Sequence, residues 1–342
     1  MLVTPEINRR NRNRALALAG VTAAASAVAG WFFPPVLLSL GLCPLIYWLA
    51  RRRCLRRLRI MGQPFPASWE LVLQAHVAFF RALPDREKER FRQLVKVFLD
   101  EVRITGIRTE VDDPVRVLVA ASAAIPVFGF REWEYHRLGE VLVYPEAFGE
   151  KYQTTGSAEE NILGMVGLKH LSGVMILSKP SLLRGFDDAS SQDNVGIHEF
   201  THLVEQEEVE HGLPPEVPWQ AVKHWVQYVA RELSHPARNR SYINSYAYTN
   251  EHEFLAVLAE YFFKSPDLLQ KNDPQLYAML QELFHQDARS LLHGPSSHRQ
   301  RYDRNAPCPC GSGKKYKECC LLKAVEARAR EEKAAYSARA SS

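Results

Sequence analysis

A long apolar run at the front of the chain is its most pronounced pattern. Residues 15–50 carry no charged side chain, and arginines cluster on both sides of this segment. A single helix of this length would extend about 54 Å, whereas the hydrocarbon core of a bilayer is roughly 30 Å thick. Pro34-Pro35 divides the run into two pieces. We therefore predict a membrane hairpin over 15–50, between a basic tail at 1–14 and a basic linker at 51–66.

The two arginine clusters predict the orientation of this hairpin. Positive residues favour the cytoplasmic side, so both termini and the rest of the chain are expected in the cytoplasm. Two alternatives stay open. The short second piece also fits a re-entrant hairpin, and Ala27-Val28-Ala29 resembles the cleavage site of a signal peptide. A signal peptide leaves the second apolar piece and the second arginine cluster unexplained.

Helical and extended patterns follow one another over residues 67–290 and predict an α+β domain. The short apolar runs read as strands because prolines end them, and the later helices have asparagine at their starts. The predicted elements are a largely helical stretch over 67–110, strands at 140–144 and 173–178, a helix from near Asn194 to Gly212, and a helix from near Asn250 to before Ser265-Pro266.

Charge is strongly segregated along the chain, although the formal net charge is only +4. Residues 1–59 contain ten arginines and one acidic residue, whereas residues 60–295 contain 22 basic and 33 acidic groups. The central domain is therefore acidic. Basic proteins that bind nucleic acid have the opposite pattern, so no specific nucleic-acid partner is expected.

The motif His198-Glu199-Phe200-Thr201-His202 carries the clearest chemical signal. On a helix, the two imidazoles lie one turn apart on one face and are able to hold one Zn²⁺, and Glu199 is placed to act as the general base toward an activated water. Two solvated histidines are the alternative interpretation. A catalytic zinc also needs a third protein ligand, and spacing alone leaves three candidates open: Glu253, Glu260 and, less favoured, His252.

Around these motifs the chain resembles the Mlc titration factor A family of zinc-dependent peptidases, which is related in catalytic layout to the lethal-factor type of gluzincin. The resemblance covers about residues 67–290 and is most specific at Tyr246–Phe263, which reads YAYTNEHEFLAVLAEYFF. It implies a mainly helical zincin-type domain with a small sheet. It also implies the zinc ligands His198, His202 and Glu253, the general base Glu199, an oxyanion donor at Tyr246, and a supporting carboxylate at Glu260.

The chain departs from this family's pattern at a few positions. Thr201 stands where the family commonly has Ala, and Glu205 stands where it commonly has Asp. The segment between the motif and the third-ligand helix is also shorter. It begins with the acidic run Glu205, Glu207, Glu208 and Glu210, which either lines the cleft and favours basic peptides or forms a solvated face.

Four cysteines near the end of the chain form a second metal-binding pattern. This pattern resembles the SEC-C motif, which is found at the C-terminus of the protein-translocation ATPase SecA, and it implies a structural zinc and docking of protein partners. Thiolate ligands also fit a reducing compartment. The four predicted ligands are Cys308, Cys310, Cys319 and Cys320. The knuckle occupies 307–322, between a linker at 291–306 and a charged tail at 323–342.

Together with these resemblances, the sequence predicts a membrane-anchored zinc peptidase that faces the cytoplasm at a bacterial inner membrane. It is expected to bind one catalytic and one structural Zn²⁺ and to act on a peptide or protein substrate. The alternative is a regulatory protein that sequesters a transcriptional repressor, as the resemblance implies, with little proteolysis. A third hypothesis is a quality-control factor that docks to translocation or ribosomal partners through the zinc knuckle.

Overall fold

A computed structural model describes residues 2–145, 173–187, 191–234 and 242–293, together with Lys314 and Lys315. The predicted ligands Cys308, Cys310, Cys319 and Cys320, residues 294–306 of the linker and the tail at 323–342 lie outside the described residues. The described part is mainly helical and contains one small sheet, so the predicted α+β class is confirmed.

The elements are numbered in chain order over the described residues. The helices are α1 (Pro5–Phe32), α2 (Cys43–Gly62), α3 (Ala67–His76), α4 (Ala78–Ala82), α5 (Asp85–Glu101), α6 (Asp113–Val127), α7 (Lys179–Asp187), α8 (Val195–His211), α9 (Trp219–Leu233), α10 (Glu251–Lys264), α11 (Pro266–Asn272), α12 (Pro274–Phe284) and α13 (Ala288–His293). The strands are β1 (Arg103–Gly106), β2 (Glu140–Tyr144) and β3 (Val174–Ser178), and 3₁₀ helices lie at Pro34–Leu42 and Ser245–Thr249.

Helices α1 and α2 form a hairpin at the N-terminus. The 3₁₀ helix begins at Pro34, where the sequence predicts the break, and α2 then runs back along α1. The Asn11 side chain donates to the Ala50 carbonyl at 3.2 Å. By length and composition, α1 and the segment Pro34–Gly62 are each able to cross a membrane. Very little of their apolar surface is covered by the protein, since Trp31 and Leu38 are each more than four-fifths exposed. This uncovered surface points to membrane association.

Most of the segment predicted as a basic linker is a continuation of α2, which extends without a break to Gly62. The Arg57 side chain is almost fully buried and pairs with Glu101 of α5 at 2.6 Å and with Glu134. The Lys96 ammonium donates to the Met61 carbonyl at 2.9 Å. The apolar hairpin is therefore joined to the rest of the protein by a helix that is fixed to α5 through ion pairs.

The sheet is parallel, with strand order β1-β2-β3. Val141 lies opposite Ile104 on one side and Met175 on the other, and all three side chains are buried. The predicted strands β2 and β3 are confirmed. The helical prediction over 67–110 is wrong at β1. This four-residue strand follows α5 directly, and no proline or glycine at the junction marks the change from helix to strand.

Helix α6 forms the centre of the core, and residues Val117–Val127 of this helix are all buried. Small side chains let α8 approach it closely. A Cβ atom on Gly196 would lie 2.1 Å from Ser122 Oγ, which is well inside van der Waals contact. The absence of that atom brings α8, which carries the His198–His202 motif, directly against the most buried helix of the described residues.

Candidate metal centre

Local hydrogen bonds fix the start of α8. The Asn194 side chain accepts from the Ile197 amide at 3.0 Å, which caps the helix, and it donates to the Gly185 carbonyl at 3.1 Å. Asn194 is almost fully buried. The helix ends at His211, before Gly212, whose φ of +88° is unfavourable for other residues. The predicted helix from Asn194 to Gly212 is thus confirmed.

Helix α10 carries the predicted third ligand on its first turn. The Asn250 side chain accepts from the Glu253 amide at 2.9 Å and caps this helix. Phe254, Leu258 and Phe262 repeat every fourth residue, and all are fully buried. Burial of this stripe sets the rotation of α10, and the rotation directs Glu253 toward α8.

The structure brings His198, His202 and Glu253 together. The two Nε2 atoms are 3.2 Å apart, and Glu253 Oε2 lies 3.0 Å from His198 Nε2 and 3.6 Å from His202 Nε2. Zinc bonds of about 2.0 to 2.1 Å in a tetrahedron place neighbouring ligand atoms about 3.3 Å apart. The three donor atoms already have this spacing, so the donor set fits one zinc ion.

Glu260 lies behind the histidine ligand rather than beside the donor atoms. Its Oε1 is 2.8 Å from His198 Nδ1, and its other oxygen accepts the backbone N–H of Asn194. His252 faces away, with Nδ1 2.9 Å from Glu205 Oε2. Of the three candidates that spacing left open, only Glu253 reaches the two Nε2 atoms.

Without metal, this cluster favours a protonated His198. Burial lowers the pKa of His198, but hydrogen bonds to Glu253 and Glu260 outweigh it and raise the pKa to about 10. Burial raises the pKa of Glu253, but hydrogen bonds to His198 and His202 outweigh it and hold this pKa well below its ordinary value. A metal ion would therefore have to displace a proton when it binds.

Glu199 and Tyr246 lie near the His198 ring. Glu199 is half-buried, and its charge contributes to the raised pKa of His198. The Tyr246 ring lies 6.2 Å from the His198 ring, centroid to centroid. The 3₁₀ helix that carries Tyr246 is fixed by Asn244, whose side chain accepts from the Tyr246 amide at 3.0 Å. Both groups are therefore close to the space where a substrate would approach the metal.

Sequence reasoning missed the support behind Tyr246. The Asn244 amide donates to the Tyr261 hydroxyl at 3.1 Å, which ties the 3₁₀ helix to α10. The two residues are 17 positions apart, and no local pattern marks them as partners. Only the asparagine, a residue that often begins turns, could have drawn attention to this position.

Comparison with known protein families agrees with this geometry. Residues 49–285 match the family described as glucose-regulated metallo-peptidase M90. The chain belongs to this family. Residues 304–322 match the SEC-C motif. The family description and the SEC-C motif both suggest metal binding.

Three relatives of this M90 family member are informative. The uncharacterized protein slr2042 of Synechocystis sp. is 27% identical over 240 residues, which cover 67% of this chain and 87% of that protein. Mlc titration factor A of Edwardsiella ictaluri is 25% identical over 246 residues, with 67% and 90% covered. Mlc titration factor A of Escherichia coli O139:H28 is 25% identical over 240 residues, with 66% and 88% covered. The resemblance to the Mlc titration factor A family is thus confirmed.

Proposed function

We propose that this protein is a membrane-anchored zinc peptidase whose catalytic domain faces the cytoplasm. The spacing of the His198, His202 and Glu253 donor atoms carries the proposal, because it matches the edges of a zinc tetrahedron. Membership of the M90 metallopeptidase family supports the same reaction class. In this proposal the three residues hold the catalytic zinc, and Glu260 orients His198 from behind.

Zinc, when bound, supplies the Lewis acidity that makes water nucleophilic at neutral pH. Glu199 accepts the proton of the attacking water. Glu199 then delivers the proton to the leaving amine. The Tyr246 hydroxyl donates to the carbonyl oxygen of the scissile bond as negative charge develops there.

The N-terminal helices supply the proposed anchor. Their apolar surface is exposed, and arginines flank both ends of the apolar run, which favours a hairpin with both ends in the cytoplasm. Glu101 and Glu134 neutralise part of the second arginine cluster, and Arg52 and Arg59 remain exposed to reach anionic headgroups.

The SEC-C segment is proposed to hold a second, structural zinc on Cys308, Cys310, Cys319 and Cys320. The match of residues 304–322 to the motif supports this part of the proposal. A four-thiolate site leaves no open position for water and is therefore suited to fixing a fold rather than to catalysis. Its docking partner would be a protein of the translocation or ribosomal machinery.

A regulatory binding protein is the second candidate function, in which the same cleft holds a repressor-type protein without cutting it. The observation that favours it is the name of two relatives, Mlc titration factor A. The two candidates differ in whether the proton-transfer step at Glu199 is needed.

The Glu199→Gln variant tests the proposal. Peptide hydrolysis should fall by at least 1,000-fold in this variant, while elemental analysis still finds the catalytic zinc, because the amide cannot accept the proton of water. The His198→Ala/His202→Ala double variant should lose both hydrolysis and one zinc equivalent. Undiminished turnover in Glu199→Gln would refute the peptidase mechanism. Equal retention of a protein partner by wild type and Glu199→Gln, without cleavage in either, would favour the binding function.

A further inference from the structure

A second group of metal-binding side chains lies at the far end of α8. His136 Nδ1 is 2.9 Å from Glu207 Oε2, and His211 Nδ1 is 3.0 Å from the same oxygen. The donor atoms of all three residues lie within 4.8 Å of one another. We propose that His136, Glu207 and His211 bind a further zinc ion, separate from the catalytic site and from the cysteine knuckle.

The carboxylate at the centre of this group is preorganised. Glu207 is buried, with only 8% of its side chain exposed, and its Oε1 accepts the His136 amide at 2.7 Å and the Arg137 amide at 3.4 Å. These bonds hold one oxygen in place and leave Oε2 to face the two imidazoles. The two imidazoles either donate their N–H groups to this oxygen or, once those protons are lost, share a divalent cation with it.

The two imidazoles are held in a geometry that suits a shared ligand. Their rings stack with centroids 4.2 Å apart and an interplanar angle of 16°. Both present Nδ1 to one oxygen, at distances close to the roughly 3.3 Å that separates ligand atoms in a zinc tetrahedron. Two histidines and one glutamate are also a common zinc ligand set, and the exposed side of the rings leaves room for water as a fourth ligand.

The surroundings favour a cation. His211 is the last residue of α8, and a helix C-terminus carries partial negative charge. Glu134 Oε2 lies 3.9 Å from His136 Nε2, which is too long for a hydrogen bond, and Glu134 is already paired with Arg57. The negative charge that a cation meets here is therefore that of the helix end and of the buried Glu207.

This site is distinct from the proposed catalytic centre. Glu207 follows His202 by five residues, which is about 7.5 Å along the helix and a rotation of about 140° around it. His136 comes from the segment between α6 and β2. A metal here would tie the end of the α8 helix to that segment, so we assign it a structural role that steadies the helix bearing His198 and His202.

Zinc stoichiometry of the full chain in detergent micelles tests this assignment. The measurement uses His198→Ala/His202→Ala as the background, so that its result is independent of any peptidase activity. Adding His136→Ala and His211→Ala to this background should remove about one zinc equivalent by elemental analysis. Adding His76→Ala instead should remove none, because His76 pairs with Asp187 at 2.6 Å and no third donor joins them among the residues that the structure describes.

A second measurement guards against a variant that fails to fold. His211→Ala alone changes one side chain that is 43% exposed, at the end of the helix, and should weaken zinc binding at this site at least tenfold in a competition titration. Zinc should also raise the melting temperature of the His198→Ala/His202→Ala background more than that of its His211→Ala derivative. Equal zinc content with and without the His136 and His211 substitutions, or binding only at millimolar zinc, would overturn the proposal. The three side chains would then form a hydrogen-bonded cluster without a metal ion.

Discussion

The Nδ1 atom of His198 lies 2.8 Å from Oε1 of Glu260, and this contact gives the two nitrogens of one ring different tasks. A neutral imidazole has one N–H and one lone pair. When the N–H at Nδ1 donates to Glu260, the lone pair of Nε2 points toward Glu253 and His202, where a metal would bind. Glu260 therefore selects the tautomer that a metal ligand must have.

Loss of the Glu260 carboxylate should weaken zinc binding. In Glu260→Gln, the NH₂ group must face either the Asn194 backbone N–H or the His198 Nδ1 atom. An NH₂ group cannot accept a hydrogen bond, so one of the two contacts is lost. We expect zinc affinity to fall about 10- to 100-fold, measured by competition with a chromogenic chelator. Glu282→Gln, which changes an exposed carboxylate on α12, is the control and should leave the affinity unchanged. Wild-type affinity in Glu260→Gln would show that His198 needs no such support.

Removal of the Tyr246 hydroxyl should lower the rate of hydrolysis without loss of metal. If this group donates to the developing oxyanion, Tyr246→Phe lowers kcat about 100-fold and changes KM little, because the hydrogen bond forms chiefly in the transition state. Tyr248→Phe is the matched control, since Tyr248 lies on the same 3₁₀ helix and packs against Phe254. Steady-state kinetics with a peptide substrate measure both kcat and KM. A drop in zinc content in Tyr246→Phe would point instead to a structural role.

A methyl group at Gly196 should force α6 and α8 apart. The new Cβ would lie 2.1 Å from Ser122 Oγ and 2.7 Å from Ser122 Cβ, in a fully buried position. We expect Gly196→Ala to lower the free energy of unfolding by about 1 to 3 kcal/mol. Gly62→Ala should have a much smaller effect, because nothing lies within 4 Å of its added atom.

The Gly196 prediction can be confirmed by compensation. Ser122→Gly removes the atoms that clash, so the double variant with Gly196→Ala should be more stable than the sum of the two single effects predicts. Denaturant unfolding of the four proteins gives this coupling energy. Strict additivity would mean that the cost of Gly196→Ala does not come from its contact with Ser122.

The stability of the contact between α2 and α5 should depend on pH. Burial raises the pKa of Glu101, but hydrogen bonds and charge from Arg57 and Arg53 outweigh it and lower the pKa from its ordinary value of 4.5 to about 2. A carboxylate whose pKa is lower in the folded state stabilises the fold fully above pH 4.5 and loses this contribution as the pH falls toward 2.

Glu101→Gln tests this dependence. At pH 7 the variant should be less stable than wild type by about 3 kcal/mol or less, and the difference should shrink as the pH falls from 4.5 toward 2. Thermal unfolding in detergent micelles at several pH values provides the measurement. A difference that stays constant over this range would mean that the ion pair with Arg57 contributes little, and that the substitution acts through packing.

Signals that lie within a few residues made most of the fold predictable. The strands at 140–144 and 173–178 were identified because prolines follow their apolar runs, and α8 because Asn194 and Gly212 frame it. β1 was not predicted, because a four-residue strand that directly follows a helix has no residue of this kind at its start.

The candidate site was predictable only in part. The motif at His198–His202 is local, so it was visible at once, but Glu253 and Glu260 lie on one face of one helix and periodicity could not choose between them. The resemblance to a known family implied Glu253, and the packing of α10 places it beside the two Nε2 atoms. His136 and Glu207 are 71 residues apart, and nothing in either segment marks them as neighbours.

The unbroken course of α2 has a mechanical consequence. Arg57 lies seven residues beyond Ala50, which is about 10 Å of rigid helix, and its ion pairs to Glu101 and Glu134 prevent that helix from swivelling. A bilayer that holds residues 15–50 would therefore fix the height and tilt of the candidate metal centre relative to the lipid surface. The metal centre would then stay within a narrow layer next to the lipid surface. Chain segments that emerge from the membrane would reach it more often than proteins that diffuse freely.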